Sequence, residues 1–143
     1  MARPGKDAVA AAIRCYEHPD QILLVRRPEK PGEELPGIWG LPAASLAPGE
    51  GPQDAVRRLG QQKLGLALEP VRLLARGYQE REGYALRMWL YEAIADRAEP
   101  TLATSSTAGV TCYTGWRWAG PDALAEGAAA GSLCCRLLLE SQP

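Results

Sequence analysis

The chain has 143 residues, 46% of them hydrophobic, and its 16 Lys and Arg against 17 Asp and Glu give a net charge of −1. That length suits one domain, residues 1 to 143, able to bury a core without disulfides or metals. A charge so near neutral excludes the long-range field that gathers long nucleic acid or an anionic membrane, so any anionic ligand has to be held by local groups.

"AVAAAIRC", Ala8 to Cys15, is small and apolar, which suits a buried strand, although its alanines fit a helix equally well. The turn chemistry of "EHPDQ" separates it from "ILLVRR", Ile22 to Arg27, and the two read as adjacent strands. "PEKPGEELPG", Pro28 to Gly37, is a loop rich in Pro and Gly, of a length that often carries function. "IWGLPA" reads as a short strand closed by Pro42.

From Gly51 the period changes. Pro52 suits a first helical position, Asp54 places an acid in the first turn, and Ala55, Val56, Leu59 and Leu66 recur at helical spacing, which predicts a helix over Pro52 to Leu64. Gly65 stands where a left-handed cap belongs. Gly60 inside the helix costs about 1 kcal/mol relative to Ala, so packing must hold this segment.

"VRLLARGYQ" and "YALRMWLYEAIA", joined by the turn "EREGY", read as long antiparallel strands. "DRAEPTLATSSTAGV", Asp96 to Val110, is a loop, "YTGWRWAG" a last strand, and the segment from Pro121 one or two helices. Strands, a helix, strands, then helices make an α+β (mixed α/β) domain with a sheet between helices.

Cys15, Cys112, Cys134 and Cys135 show no CxxC spacing, and a single histidine, His18, removes His-rich metal sites and His-centred triads; His18 reads as a turn residue. "MARPGKDAVAAAIRC" lacks the apolar stretch of a signal peptide, and no run reaches the ~18 apolar residues that span a bilayer, so the expectation is a reduced, cytoplasmic protein with no membrane partner.

The stretch from Ala44 to Leu66 resembles the box of the Nudix hydrolases, which reads Gly, five residues, Glu, seven residues, Arg-Glu, a hydrophobic, any residue, Glu-Glu, any residue, Gly, hydrophobic. Ala44 stands at the opening Gly, Glu50 and Arg58 match, and Gly65-Leu66 close the box. Leu59 replaces one Glu, Gly60 the hydrophobic, and Gln62 and Lys63 the Glu-Glu pair. The flanks "ILLVRR", "GIWGLP", "RMWLYEA" and "GWRWAGPDALAE" are similar to the family as well, so the likeness runs over roughly residues 8 to 126. It implies a Nudix-type α/β/α sandwich and a small nucleotide or diphosphate ligand.

In the family's box, carboxylates one helical turn apart share a divalent cation that bridges a diphosphate and helps activate water. The resemblance makes Glu50 and Arg58 the catalytic candidates and implies Mg2+ or Mn2+ if the protein is active, or no metal at all if it only binds. A rewired metal site would use Glu50 and Asp54 with the Ala44 carbonyl and an acid such as Glu80, Glu82 or Glu92. Arg26 or Arg27, Trp39 and Lys63 are the candidates for substrate binding. Plainer roles stand beside these: Arg58 paired with Glu50 or Asp54, Lys63 answering the helix dipole, Leu59 and the tryptophans as packing. Three readings follow: a pyrophosphohydrolase, a non-catalytic nucleotide- or phosphate-binding module, and a protein-interaction domain, with a homodimer open. Restoring Glu at positions 59, 62 and 63 together would test whether the rest of an enzyme site is intact.

Overall fold

The structure, a computed structural model, describes residues 4–29, 35–104 and 112–142. Among the described residues seven strands are formed: β1 (Gly5–Arg14), β2 (Ile22–Arg26), β3 (Trp39–Gly40), β4 (Ala43–Ser45), β5 (Leu68–Arg81), β6 (Tyr84–Ala95) and β7 (Gly115–Ala119). Helix α1 (Pro52–Leu59) follows β4, and a 3-10 turn (Pro121–Leu124), α2 (Ala125–Ala129) and α3 (Leu133–Ser141) close the chain. No helix among the described residues is long and apolar enough to cross a membrane.

The strands form two sheets: a mixed one in the order β4-β1-β6-β5, and an antiparallel one in the order β3-β2-β7. In the first, β1 runs parallel to β6 and antiparallel to β4. The expectation that Ala8–Cys15 and Ile22–Arg27 pair with each other is therefore corrected, because β1 and β2 lie in different sheets. The reason is burial on both faces. Val9, Ala11 and Ile13 enter one apolar cluster and Ala8, Ala10 and Ala12 another, and β2 divides likewise, with Leu23 and Val25 in the first cluster and Ile22 and Leu24 in the second. Two continuous apolar strands of this kind occupy the middle of a layered fold. The first cluster takes Ala55, Val56 and Leu59 from α1, and the second takes Leu133, Leu137 and Leu138 from α3, so helices cover opposite sides.

"IWGLPA" is divided too. Trp39–Gly40 joins β2, and after Pro42, Ala43–Ser45 joins β1. A proline offers no ladder donor, and the chain changes sheets there.

The box helix ends earlier as α-helix than expected. After Leu59 it widens into a π-turn over Gly60–Leu64, and Gly65 closes it in the left-handed region at φ 59°. Gly60 is required by close approach: a Cβ there would lie 2.6 Å from Leu68 Cγ and 2.7 Å from the Leu66 carbonyl oxygen. The Gly60 carbonyl accepts from the Gly65 and Leu66 amides, which fixes the turn. His18 sits in the turn between β1 and β2, stacked on Trp118 with ring centroids 4.9 Å apart.

Candidate functional site

The π-turn aims Lys63 inward. The residue is only 7% exposed, and its Nζ donates to the Ala43 carbonyl oxygen at 2.6 Å, just ahead of the position that opens the box. The same peptide is held by Tyr113, whose hydroxyl accepts from the Ala43 N–H (2.9 Å) and donates to the Ala43 carbonyl (3.1 Å). The Tyr113 ring centroid is 5.4 Å from the ammonium. Burial lowers the Lys63 pKa to about 8, helped by the positive charges of Arg27, Arg58 and Lys6 and opposed by Cys112. Among the described residues, no carboxylate lies within ion-pair distance of it.

Arg58 grips Glu50 with both arms of its fork, Nε to Oε2 and Nη2 to Oε1, each at 2.9 Å. It also donates to the Ser45 carbonyl (2.6 Å) and to Gln62 Oε1 (3.0 Å). Glu50 accepts in addition from the Ala47 amide. The Arg58 hydrogen bond is the main cause holding the Glu50 carboxyl below its usual range; desolvation opposes it, and the Ala47 amide and the Arg58 charge add to it. Of the two partners proposed for Arg58, the structure gives it Glu50. Asp54 is exposed and pairs with Arg57 at 3.1 Å.

The acids proposed for a rewired metal site are not brought together. Glu92 pairs with Arg14 and Arg72, and Glu80 accepts from the Tyr78 hydroxyl. Among the described residues no group of three His, Cys, Asp or Glu side chains could hold a metal ion. Leu59 is fully buried, Gln62 is exposed and engaged by Arg58, and Lys63 brings a positive charge. At ~4 Å and an effective dielectric constant near 20, an ammonium and a divalent cation repel by about 8 kcal/mol. The residues present do not fit the family's cation.

A pocket of about 160 Å³ opens beside Lys63, with Lys6, Arg27 and Arg81 completing a basic lining and Leu41, Leu86, Met88 and Leu133 an apolar one. Tyr84 and Cys134 also line it, and the Lys6 ammonium lies 5.5 Å from the Tyr84 ring centroid. Cys134, at the second position of α3, lies 3.3 Å from Ser132 Oγ, and hydrogen bonding from Cys135 is the main cause holding its thiol below the usual range.

Of the two strand-end arginines, Arg27 lines this pocket, while Arg26 pairs with Glu29. Trp39 does not line it: the indole packs beside Gly115 and carries the Arg117 guanidinium 4.7 Å from its ring centroid. Lys6 and Arg81 were missed by the sequence reading. The alternation of β1 held a signal for Lys6, which shares the face of Ala8 and pairs in register with Leu86 of β6. The two loops expected to recognise a base, Pro28 to Gly37 and Asp96 to Val110, fall partly outside the described residues, at 30–34 and 105–110.

The NUDIX domain family profile matches residues 5–132, and the chain belongs to the Nudix family. Its fold is similar to the MutT protein of Methanosarcina mazei, at 18% identity and a TM-score of 0.73 over 100% of this chain and 99% of that one. A NUDIX hydrolase from Nitrosomonas europaea is similar at 18% identity and a TM-score of 0.74, covering 97% and 88% of the two chains. The MutT NUDIX hydrolase of Burkholderia pseudomallei is 27% identical with a TM-score of 0.66, covering 82% and 84%. Nudix hydrolases generally use divalent metals and act on small nucleotide-type substrates.

Proposed function

We propose that this Nudix-family protein binds a nucleoside diphosphate, free or linked to another group, in the pocket beside Lys63, and that it has lost pyrophosphohydrolase activity. The observation that carries this reading is the pocket lining: Lys6, Arg27, Lys63 and Arg81 at one cleft, with apolar side chains and Tyr84 completing it. Clustered cations suit a diphosphate, and an aromatic ring with apolar walls suits a base or sugar. Glu50, the acid retained from the box, is occupied by Arg58 and serves the loop–helix frame. With no acid cluster among the described residues to activate water, binding is the activity the arrangement supports.

The test is a panel of nucleoside diphosphates and their conjugates, followed by thermal shift and by release of monophosphate or phosphate. The expected result is stabilisation that Lys6→Ala and Arg27→Ala each weaken, without turnover. Divalent-dependent turnover abolished by Glu50→Gln would restore the enzyme reading, and silence across the panel would leave the interaction-domain reading.

A further inference from the structure

We infer that the Lys63 ammonium, seated on the Ala43 carbonyl, takes over the charge of the family's divalent cation, so that the phosphate ligand is bound without metal. This rests on the pocket reading above and specifies its electrostatics.

The three Glu of the family's box with one divalent cation sum to one negative charge, whereas Leu59, Gln62 and Lys63 sum to one positive charge without any metal. Leu59 and Gln62 are neutral, so neither leaves a carboxylate that a metal would have to balance. The substitutions are thus mutually consistent.

An isolated ammonium on a flexible stem is a poor substitute for a coordinated ion because ordering it on binding is costly. Lys63 is already ordered: it is only 7% exposed, with its Nζ 2.6 Å from the Ala43 carbonyl oxygen. Tyr113 fixes that acceptor peptide from its other side. An ammonium has three N–H donors, and with one on Ala43 two remain for a ligand in the pocket that Lys63 lines. Arg58, by contrast, is taken up by Glu50, Ser45 and Gln62 and is not the cation presented.

Calorimetric titration of the full chain with inorganic pyrophosphate and with ADP, in EDTA and in excess Mg2+, tests the inference. Binding in EDTA at least as tight as in Mg2+ is expected, since Mg2+ competes for the free ligand. Lys63→Met should weaken binding by at least about tenfold in EDTA, with no recovery on adding Mg2+. If Lys63→Met does not fold, Lys63→Gln keeps a donor for the Ala43 carbonyl while removing the charge, and the same loss is expected. Mn2+ titration followed by electron paramagnetic resonance should find no site on the free protein. Binding that requires Mg2+, a Mn2+ site on the free protein, or unchanged affinity in the charge-removing variant would overturn the inference while leaving the pocket reading standing. Failure of both ligands to bind in either buffer would remove the pocket reading itself.

Discussion

The Lys63 ammonium and the Ala43 carbonyl meet at 2.6 Å, joining the end of the box helix to the strand that begins the box. An uncompensated charge is thereby held in the interior beside a basic pocket, and its titration should be visible in two opposed ways.

With its folded-state pKa near 8 and an ordinary value of 10.5, Lys63 binds fewer protons folded than unfolded between those limits. Stability of the free protein should therefore rise with pH through that window, by about 3 kcal/mol in all, whereas affinity for pyrophosphate should fall above about pH 8. Urea denaturation and calorimetry across pH 7 to 10, on wild type and Lys63→Met, check this: the rise in stability should be smaller in the variant by the Lys63 share, and the fall in affinity should be absent. Parallel trends in wild type would contradict it.

Glu50 also makes stability rise with pH, at the acid end of the scale. Its carboxyl, lowered chiefly by the Arg58 hydrogen bond, contributes stability that is present above the ordinary value of 4.5 and lost as pH falls through the folded-state value. Glu50→Gln should flatten the acid limb of the stability profile. Arg58→Ala, which strips the fork from a half-buried acid, should cost about 1–3 kcal/mol at pH 7 in urea denaturation.

Gly60→Ala offers a direct check on the π-turn. Helix propensity favours Ala by about 1 kcal/mol, yet the new methyl would meet Leu68 Cγ at 2.6 Å and the Leu66 carbonyl oxygen at 2.7 Å. Overpacking of this kind costs about 1–3 kcal/mol, so a lower urea midpoint is expected. A raised midpoint would mean the turn can relax.

Cys134 reports on pocket occupancy because it lines the cleft with Lys63 and Arg27. Alkylation by iodoacetamide, followed peptide by peptide in mass spectrometry, should slow at Cys134 when pyrophosphate or ADP saturates the protein in EDTA. Cys112, which is outside the lining, should be unaffected.

The structure also changes what restoration of the box should do. Leu59 is fully buried against the α1 side of the core, so Leu59→Glu places a carboxylate among apolar groups. A loss of several kcal/mol in thermal or urea unfolding is expected before any gain of hydrolysis. Undiminished stability with new metal-dependent activity would show that the helix can rotate this side chain outward.

The order of elements was readable in residue patterns, and so was the frame of the box: Pro52 opens the helix and Gly65 caps it, each through a local backbone preference. The division into two sheets was not, because Ala8–Ile13 and Ile22–Val25 are apolar at every position and give no alternation to reveal their faces. The burial of Lys63 was partly legible: it falls seven residues after Val56 and four after Leu59, on the inner stripe of the helix, but a lysine near a helix end reads first as a solvated charge. Arg27 and Arg26 could not be told apart by type, since the pocket that separates them is assembled from distant strands.

The widened turn at Gly60–Leu64 makes residue count part of the site. A π-turn accommodates one residue more than an α-helical path would hold, and each residue advances the helix by about 100°. Deleting Gln61 would alter no group that touches Ala43 or lines the pocket, yet it would swing the ammonium away from both. In this segment a change of length can therefore silence the charge as completely as a change of side chain.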